Sequence, residues 1–202
     1  MPKILKNFKI LVLEESGFFL HNNTMTDKKK ISILDSTLRD GSQGEGISYS
    51  VQDKINIVLA LDELGVTFIE AGNPGSNPKD MEFFIEAKKL QLKNSKIVAF
   101  GSTRRRDLSC AEDVNLQSLL SADTEYVCIF GKTWDFQVTD ILHATLDENI
   151  EMIRDTVAYL KSKDKKVIFD AEHFFTGYKA NPEYALKSLE AAVEGGAVCL
   201  SL

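Results

Sequence analysis

The sequence predicts an α/β protein with a TIM-type (β/α)8 barrel that is truncated after about its sixth strand. Short apolar runs alternate with amphipathic helical patterns every thirty to forty residues or so, as expected for parallel strands joined by helical crossovers. Polar residues follow each apolar run, which is where barrel enzymes assemble their sites. A complete barrel needs about 250 residues, and this chain has 202.

An open doubly wound sheet is the competing architecture, because it has the same alternation of strands and helices. Its dinucleotide-binding form carries Gly-x-Gly-x-x-Gly after the first strand, and no such motif occurs there. The gathering of polar residues at the strand ends therefore favours the barrel.

Composition indicates a globular protein with a substantial core, since 44% of the residues are hydrophobic and 27% are charged. The net charge of -6 argues against nucleic acid as the main partner. No apolar stretch approaches the length that spans a membrane. The three cysteines are odd in number and widely spaced, which favours a reducing cytoplasm.

Residues 1–30 differ from the rest and are predicted to be an N-terminal extension that ends in a polar linker. They lack the continuous apolar centre and small-residue cleavage site of a signal peptide. We expect Met25 to be the natural start. Residues 31–202 are predicted to form the N-terminal portion of the barrel.

The elements are predicted in order from apolar runs and capping signals. Ser50 and Asp53 predict a capping box for a helix that ends at Gly65, and Asn77-Pro78 and Asn181-Pro182 each predict a cap followed by a first-turn proline. Two further helices are expected at 115–122 and 146–161. The predicted strands are 31–34, 66–70, 97–100, 126–130, 167–169 and 197–202.

The first strand leads into the most informative segment, Asp35-Ser-Thr-Leu-Arg-Asp-Gly-Ser-Gln43. A carboxylate such as Asp40 at a strand end can bind a hard divalent cation. The neighbouring Arg39 can hold a carboxylate or polarise a carbonyl. The alternative is a surface ion pair at a turn.

Polar candidates occur at the ends of the other strands as well. Glu70 is either an ion partner of Arg39 or directly catalytic, and Glu172 is either a functional carboxylate or a solvent-facing loop acid. The polar residues that follow the strands are Arg39, Asp40, Glu70, Ser102, Thr103, Lys132, Asp170 and Glu172.

Residues 35–43 resemble the first-strand signature of the acyl-CoA condensing enzymes and lyases, which include 2-isopropylmalate synthase, homocitrate synthase and HMG-CoA lyase. Further segments resemble the citramalate synthase branch of that family. These segments are 44–50, 74–80, 99–105, 129–132, 169–175 and 177–185.

The resemblance implies an acyltransferase that makes (R)-citramalate from pyruvate, acetyl-CoA and water, in isoleucine biosynthesis. It implies a divalent metal (Mg, Mn or Zn) and acetyl-CoA as co-substrate. By the same resemblance Asp40 is the metal ligand, and Arg39 and Glu172 are catalytic. The residues implied to bind substrate are Arg39, Gln43, Glu70, Ser102, Thr103, Glu172 and His173.

The chain departs from that family's pattern, because the metal histidines of the resembling enzymes belong to a later strand. We therefore expect that the isolated 202-residue chain does not turn over pyruvate and acetyl-CoA. The alternatives are an isopropylmalate or homocitrate synthase type of enzyme, or a catalytically inactive fragment with a binding role. Expected partners are small-molecule substrates and either a second copy, as a homodimer, or a complementing C-terminal fragment.

Overall fold

The computed structural model of the protein describes residues 10–11 and 31–202. Its strands are β1 (Ile10–Leu11), β2 (Leu34–Asp35), β3 (Phe68–Glu70), β4 (Lys96–Ser102), β5 (Tyr126–Lys132), β6 (Lys166–Glu172) and β7 (Cys199–Ser201). Its α-helices are α1 (Val51–Leu64), α2 (Pro78–Ala87), α3 (Val114–Ala122), α4 (Leu146–Ser162), α5 (Phe174–Ala180) and α6 (Pro182–Gly195). Most of the predicted N-terminal extension lies outside the described residues.

The chain divides into two compact units. The first unit comprises Lys28–Gly101 and Val114–Cys128. The second unit comprises Ser102–Asp113 and Ile129–Leu202, together with β1.

The first unit is built on parallel strands in sequence order. Leu34 of β2 pairs with Phe68 of β3, and Phe68 pairs with Lys96 of β4. Helices α1 and α2 pack together, and Phe83 and Phe84 of α2 are fully buried. Because the strands are parallel, their carboxyl ends share one edge, and the predicted Arg39 and Glu70 follow or end two of them.

Helix α1 has the predicted ends but a different buried face. The capping box of Ser50 and Asp53 is present, and Gly65 closes the helix in the left-handed region at φ 86°. The spacing of Val51, Ile55, Val58 and Leu61 predicts that these four residues face inward, but Val58 alone of them is fully buried. Lys54 and Asp62 occupy the rest of that face, because each has hydrogen-bonding partners inside the unit.

The second unit also has parallel strands, in the order β1-β7-β6-β5. Ile168 and Phe169 of β6 pair with Cys199 and Leu200 of β7, and β1 lies in register with Leu200–Ser201 on the other side of β7. Helix α4 packs along α6, and α5 packs on α6. Charged residues therefore end β5 and β6 at the same edge, at Lys132 and Glu172.

Some elements differ from the predictions. The apolar run 31–34 predicts a short buried strand, but Ile31 and Ile33 are 60% and 57% exposed and β2 is limited to Leu34–Asp35. Cys128 and Cys199 both lie in apolar runs that predict burial; Cys128 is buried, whereas Cys199 is only half-buried. Helix α5 was not predicted, because it is seven residues long with Gly177 inside it.

None of the three cysteines, all of which lie in the described part of the chain, is in a disulfide. Across residues 10–11 and 31–202, no helix has both the length and the apolar run that crossing a bilayer requires.

Candidate active site

The first unit holds Arg39 between a carboxylate and an aromatic ring. Its Nε atom donates to Oε2 of Glu70 at 2.6 Å, and its guanidinium carbon lies 4.0 Å from the centre of the Phe100 ring. Glu70 is 2% exposed, so this carboxylate is withdrawn from solvent. The arginine is consequently fixed in direction at the exit of β2.

Charge pairing favours the ionised form of Arg39. Burial alone would lower the pKa of the guanidinium, but the attraction and hydrogen bond of Glu70, with a smaller contribution from Asp40, leave the pKa above its ordinary value. A permanently charged, oriented guanidinium can bind a carboxylate or stabilise an oxygen that gains charge.

Asp40 and Gln43 lie on the open side of the same turn. Oδ1 of Asp40 accepts from Nη1 of Arg39 at 3.0 Å, and its side chain is 63% exposed. A single 3-10 turn, Gly41–Gln43, follows, and Gln43 is exposed at its end. The ion pair that the sequence offered as the alternative to a metal site is thus present, and the Asp40 carboxylate remains accessible.

The described residues do not by themselves fit a divalent metal. Asp40 is one carboxylate, and residues 10–11 and 31–202 contain no group of three or more His, Cys, Asp or Glu side chains placed to hold an ion. A borderline or hard metal needs several such ligands. The metal role of Asp40 stays a prediction.

The second unit pairs Lys132 with Glu172 at the ends of β5 and β6. Nζ of Lys132 contacts Oε2 of Glu172, with side-chain exposures of 17% and 33%. The same ammonium lies 5.3 Å from the centre of the Phe130 ring. Glu172 is therefore neither buried nor a freely solvated loop acid, but a half-open carboxylate beside a cation.

The backbones that carry this pair are fastened by buried polar side chains. Thr133 donates from Oγ1 to the carbonyl of Glu172 at 2.7 Å, and Asn149 donates from Nδ2 to the carbonyl of Lys132 at 2.8 Å. Nδ2 of Asn149 also donates to the hydroxyl of Tyr184 at 2.6 Å. Burial raises the pKa of Tyr184 to about 12, so the phenol stays neutral.

His173 follows Glu172 with a left-handed backbone, at φ 56°. This conformation is uncommon outside glycine and turns the chain sharply from β6 into α5. The imidazole is exposed, and its centre lies 6.3 Å from the centre of the Trp134 ring. The residue that follows Glu172 thus presents an exposed imidazole, and the substrate contact expected of His173 stays a prediction.

Ser102 and Thr103 end β4 and begin the loop that follows it. The Thr103 backbone N–H donates to the carbonyl of Phe130 at 3.1 Å, and its side chain is mostly buried, while Ser102 is half-buried. Their role as substrate contacts stays a prediction.

The structure brings Arg39, Asp40 and Glu70 into one cluster of the first unit, and Lys132 and Glu172 into another in the second unit. Sequence reasoning missed Phe100 and Asn149. Phe100 lies in an apolar strand run, and Asn149 lies in a helix, so neither carries a local signal.

The fold and these clusters define a class: a parallel α/β protein with the fold of the N-terminal part of a TIM barrel, in which charged groups lie at the carboxyl ends of strands in each unit. The HMGL-like family model matches residues 30–202, and the chain belongs to that family. Solved HMG-CoA lyases confirm the fold. That of Bacillus subtilis has a TM-score of 0.65 at 19% identity over 88% of this chain and 59% of its own.

Curated relatives confirm the resemblance to citramalate synthases. The chain is 57% identical to (R)-citramalate synthase of Aquifex aeolicus over 84% of this chain and 32% of that protein. It is 52% identical to (R)-citramalate synthase of Sulfolobus acidocaldarius, over 84% of this chain and 32% of that protein. Homocitrate synthase of Sulfolobus acidocaldarius is 31% identical to this chain, over 86% of this chain and 35% of that protein. The chain thus spans about a third of the length of these relatives and covers the N-terminal part of the barrel fold.

Proposed function

We propose that this chain is the N-terminal part of an acyl-CoA condensing transferase that joins the acetyl group of acetyl-CoA to pyruvate and forms (R)-citramalate. The observation that carries the proposal is the Arg39–Glu70 pair at the exit of β2. Arg39 lies in the segment 35–43, which resembles the first-strand signature of the acyl-CoA condensing enzymes and lyases. A buried carboxylate that directs an arginine suits recognition of a small keto acid.

The reaction assigns separate tasks to the residues of this chain. The acetyl methyl group loses a proton, its carbon bonds to the keto carbon of pyruvate, and the keto oxygen gains the negative charge and then a proton. Water then cleaves the thioester, which releases CoA and leaves the new carboxylate. Arg39 donates to the keto acid oxygen that gains charge, and Glu172 moves a proton or holds the thioester.

The metal that acts in resembling enzymes is not assigned a step, because the described residues do not make a site for it. Asp40 is the candidate ligand from this chain, since its carboxylate is accessible next to Arg39. The remaining assignments of the proposal are isoleucine biosynthesis, a cytoplasmic location and a homodimer or complementing fragment as partner.

The experiment is a chimera in which residues 31–202 replace the matching segment of the Aquifex aeolicus relative, to which this chain is 57% identical. Release of CoA from acetyl-CoA is followed with added Mg²⁺ or Mn²⁺, and the product is identified by chiral chromatography. We expect pyruvate-dependent release and (R)-citramalate. The 202-residue chain alone, assayed in parallel, is expected to be inactive.

A panel of keto acids separates the enzyme alternatives. Pyruvate, 3-methyl-2-oxobutanoate and 2-oxoglutarate differ in side-chain volume and charge, which the first unit must accommodate. The higher identity to citramalate synthases than to homocitrate synthases leads us to expect pyruvate as the best substrate. A preference for 2-oxoglutarate would overturn the proposal in favour of homocitrate synthesis.

A further inference from the structure

We propose that Lys132 is a positioning residue for Glu172: its ammonium fixes the direction of that carboxylate at the end of β6. The inference rests on the proposed function, since it assigns a purpose to a neighbour of the proposed catalytic Glu172. Its basis is the contact between Nζ of Lys132 and Oε2 of Glu172.

The surroundings leave the ammonium little choice of direction. The Lys132 side chain is 17% exposed and passes the Phe130 ring, whose centre lies 5.3 Å from Nζ. Enclosure of the lysine side chain restricts its ammonium group to one position. In that position the ammonium contacts the carboxylate of Glu172, whose side chain is 33% exposed and thus still open to a ligand.

The backbone on both sides of the pair is also immobilised. Asn149, which is fully buried, holds the carbonyl of Lys132, and the fully buried Thr133 holds the carbonyl of Glu172. Helix α5 begins directly after this point, and Gly177 brings it so close to Thr133 that a Cβ would overlap the Thr133 carbonyl oxygen. A displacement of a reacting group by about 1 Å lowers the reaction rate strongly. The hydrogen bonds to the backbone at the ends of β5 and β6 therefore help to hold the Glu172 carboxylate in place.

A direct substrate role for Lys132 is the competing explanation. An ammonium can bind the carboxylate of a keto acid or the oxygen of a thioester. The two roles differ in what happens when Glu172 is removed. If Lys132 only positions Glu172, replacing Lys132 has no further effect once Glu172 is replaced. If Lys132 binds substrate, replacing it still lowers activity when Glu172 is absent.

The first arm of the test needs no activity. In the 202-residue chain labelled with ¹³C at the lysine ε-carbons, the Lys132 resonance is assigned by its loss in Lys132→Arg. We expect Glu172→Gln to shift this resonance and to leave that of Lys96 unchanged. Lys96 is a matched control because it forms an exposed ion pair with Glu125, at 2.8 Å. An unshifted Lys132 resonance would overturn the proposal.

The second arm is a double-mutant cycle on CoA release by the active chimera. We expect Lys132→Met to lower kcat by about tenfold to a hundredfold with little change in KM for pyruvate. Lys132→Arg should restore most of the rate, Lys96→Met should change nothing, and Lys132→Met should add no loss to Glu172→Gln.

The outcomes separate the two claims. If Lys132→Met changes only KM for pyruvate, or lowers kcat as much in the Glu172→Gln background as in the parent chimera, the positioning role of Lys132 is overturned. Neither result affects the proposed condensation reaction. If the unsubstituted chimera folds but releases no CoA, the proposed function is overturned. The catalytic role of the Lys132–Glu172 contact is then overturned as well, although the first arm measures the contact itself independently.

Discussion

Nε of Arg39 lies 2.6 Å from Oε2 of Glu70, a carboxylate that is 2% exposed. The two residues are 31 positions apart, so the contact exists because β2 and β3 lie side by side in parallel. Phe100, at the end of the next strand, places its ring against the same guanidinium. Three neighbouring strands therefore determine the direction of one arginine.

Removing the charge of Glu70 should destabilise the protein. Glu70→Gln keeps the shape of the side chain but removes the buried anion of a mostly buried guanidinium, which keeps only the exposed carboxylate of Asp40. The expected cost is about 3 kcal/mol in the free energy of unfolding. Urea titration measures the loss. Glu125→Gln is the control, because its partner Lys96 is exposed and the pair is worth at most about 1 kcal/mol. Equal losses in the two variants would contradict the role given to Glu70.

A second buried pair in the first unit should show coupling. Nζ of Lys54 lies 2.5 Å from Oδ1 of Asp80 and donates to the carbonyl of Ala71 at 2.9 Å, with side-chain exposures of 4% and 12% for the pair. Lys54→Met strands the carboxylate and should cost about 3–5 kcal/mol in unfolding free energy.

Adding Asp80→Asn to Lys54→Met should recover part of that loss. The amide oxygen can still accept from the backbone N–H of Asn73, which lies 2.8 Å from Oδ2 of Asp80, and no unpaired charge remains. Guanidinium titration of the two single variants and the double variant gives the coupling. Strictly additive losses would show that the pair does not interact in solution.

Asp62 should make stability depend on pH in the acid range. Its carboxylate accepts from the backbone N–H groups of Lys93, Asn94 and Ser95, at 3.0, 2.8 and 2.7 Å. These bonds, that of Lys93 first, lower the pKa of Asp62 below its ordinary 3.8. A lowered folded-state pKa means that the stabilisation is complete above the unfolded-state pKa and is lost as pH falls through the folded-state value.

Asp62→Asn tests this dependence. The difference in unfolding free energy between wild type and variant should be on the order of 2 kcal/mol near neutral pH and should shrink below about pH 4. Thermal unfolding across a pH series measures it, with the exposed Asp107→Asn as control. A difference that stays constant down to pH 2 or so would exclude the hydrogen-bonded carboxylate as its source.

Gly177 should not tolerate a methyl group. A Cβ there would overlap the Thr133 carbonyl oxygen and lie 2.9 Å from Cα of Trp134. The overlap costs about 1–3 kcal/mol, which exceeds the gain of about 1 kcal/mol that alanine brings to a helix interior. We expect Gly177→Ala to lower the melting temperature. Gly41→Ala, where the nearest atom would be 3.8 Å away, should leave it within about a degree or two.

The sequence predicted those features whose cause is local. The capping box at Ser50, the proline starts of α2 and α6 and the charged strand exits each depend on residues a few positions apart. Burial of β2 was overestimated, because an apolar run does not reveal that Ile31 and Ile33 face outward.

The contacts that organise the candidate site could not be predicted, because they join distant positions. Asn149 and Tyr184 are 35 residues apart, and Lys132 and Glu172 are 40 apart. Neither Asn149 in a helix nor Phe100 in an apolar strand carries a pattern that marks it as functional. The metal role of Asp40 and the substrate contacts of Gln43, Ser102 and Thr103 remain predictions.

The most direct measurement is pyruvate-dependent CoA release by the chimera with and without Arg39→Lys. Lysine keeps the charge but loses the planar fork that Glu70 and Phe100 direct. We predict rapid release for the parent chimera and a fall of about a hundredfold or more for Arg39→Lys, at unchanged folding. Equal rates for the two proteins would contradict the assignment of keto acid chemistry to the exit of β2.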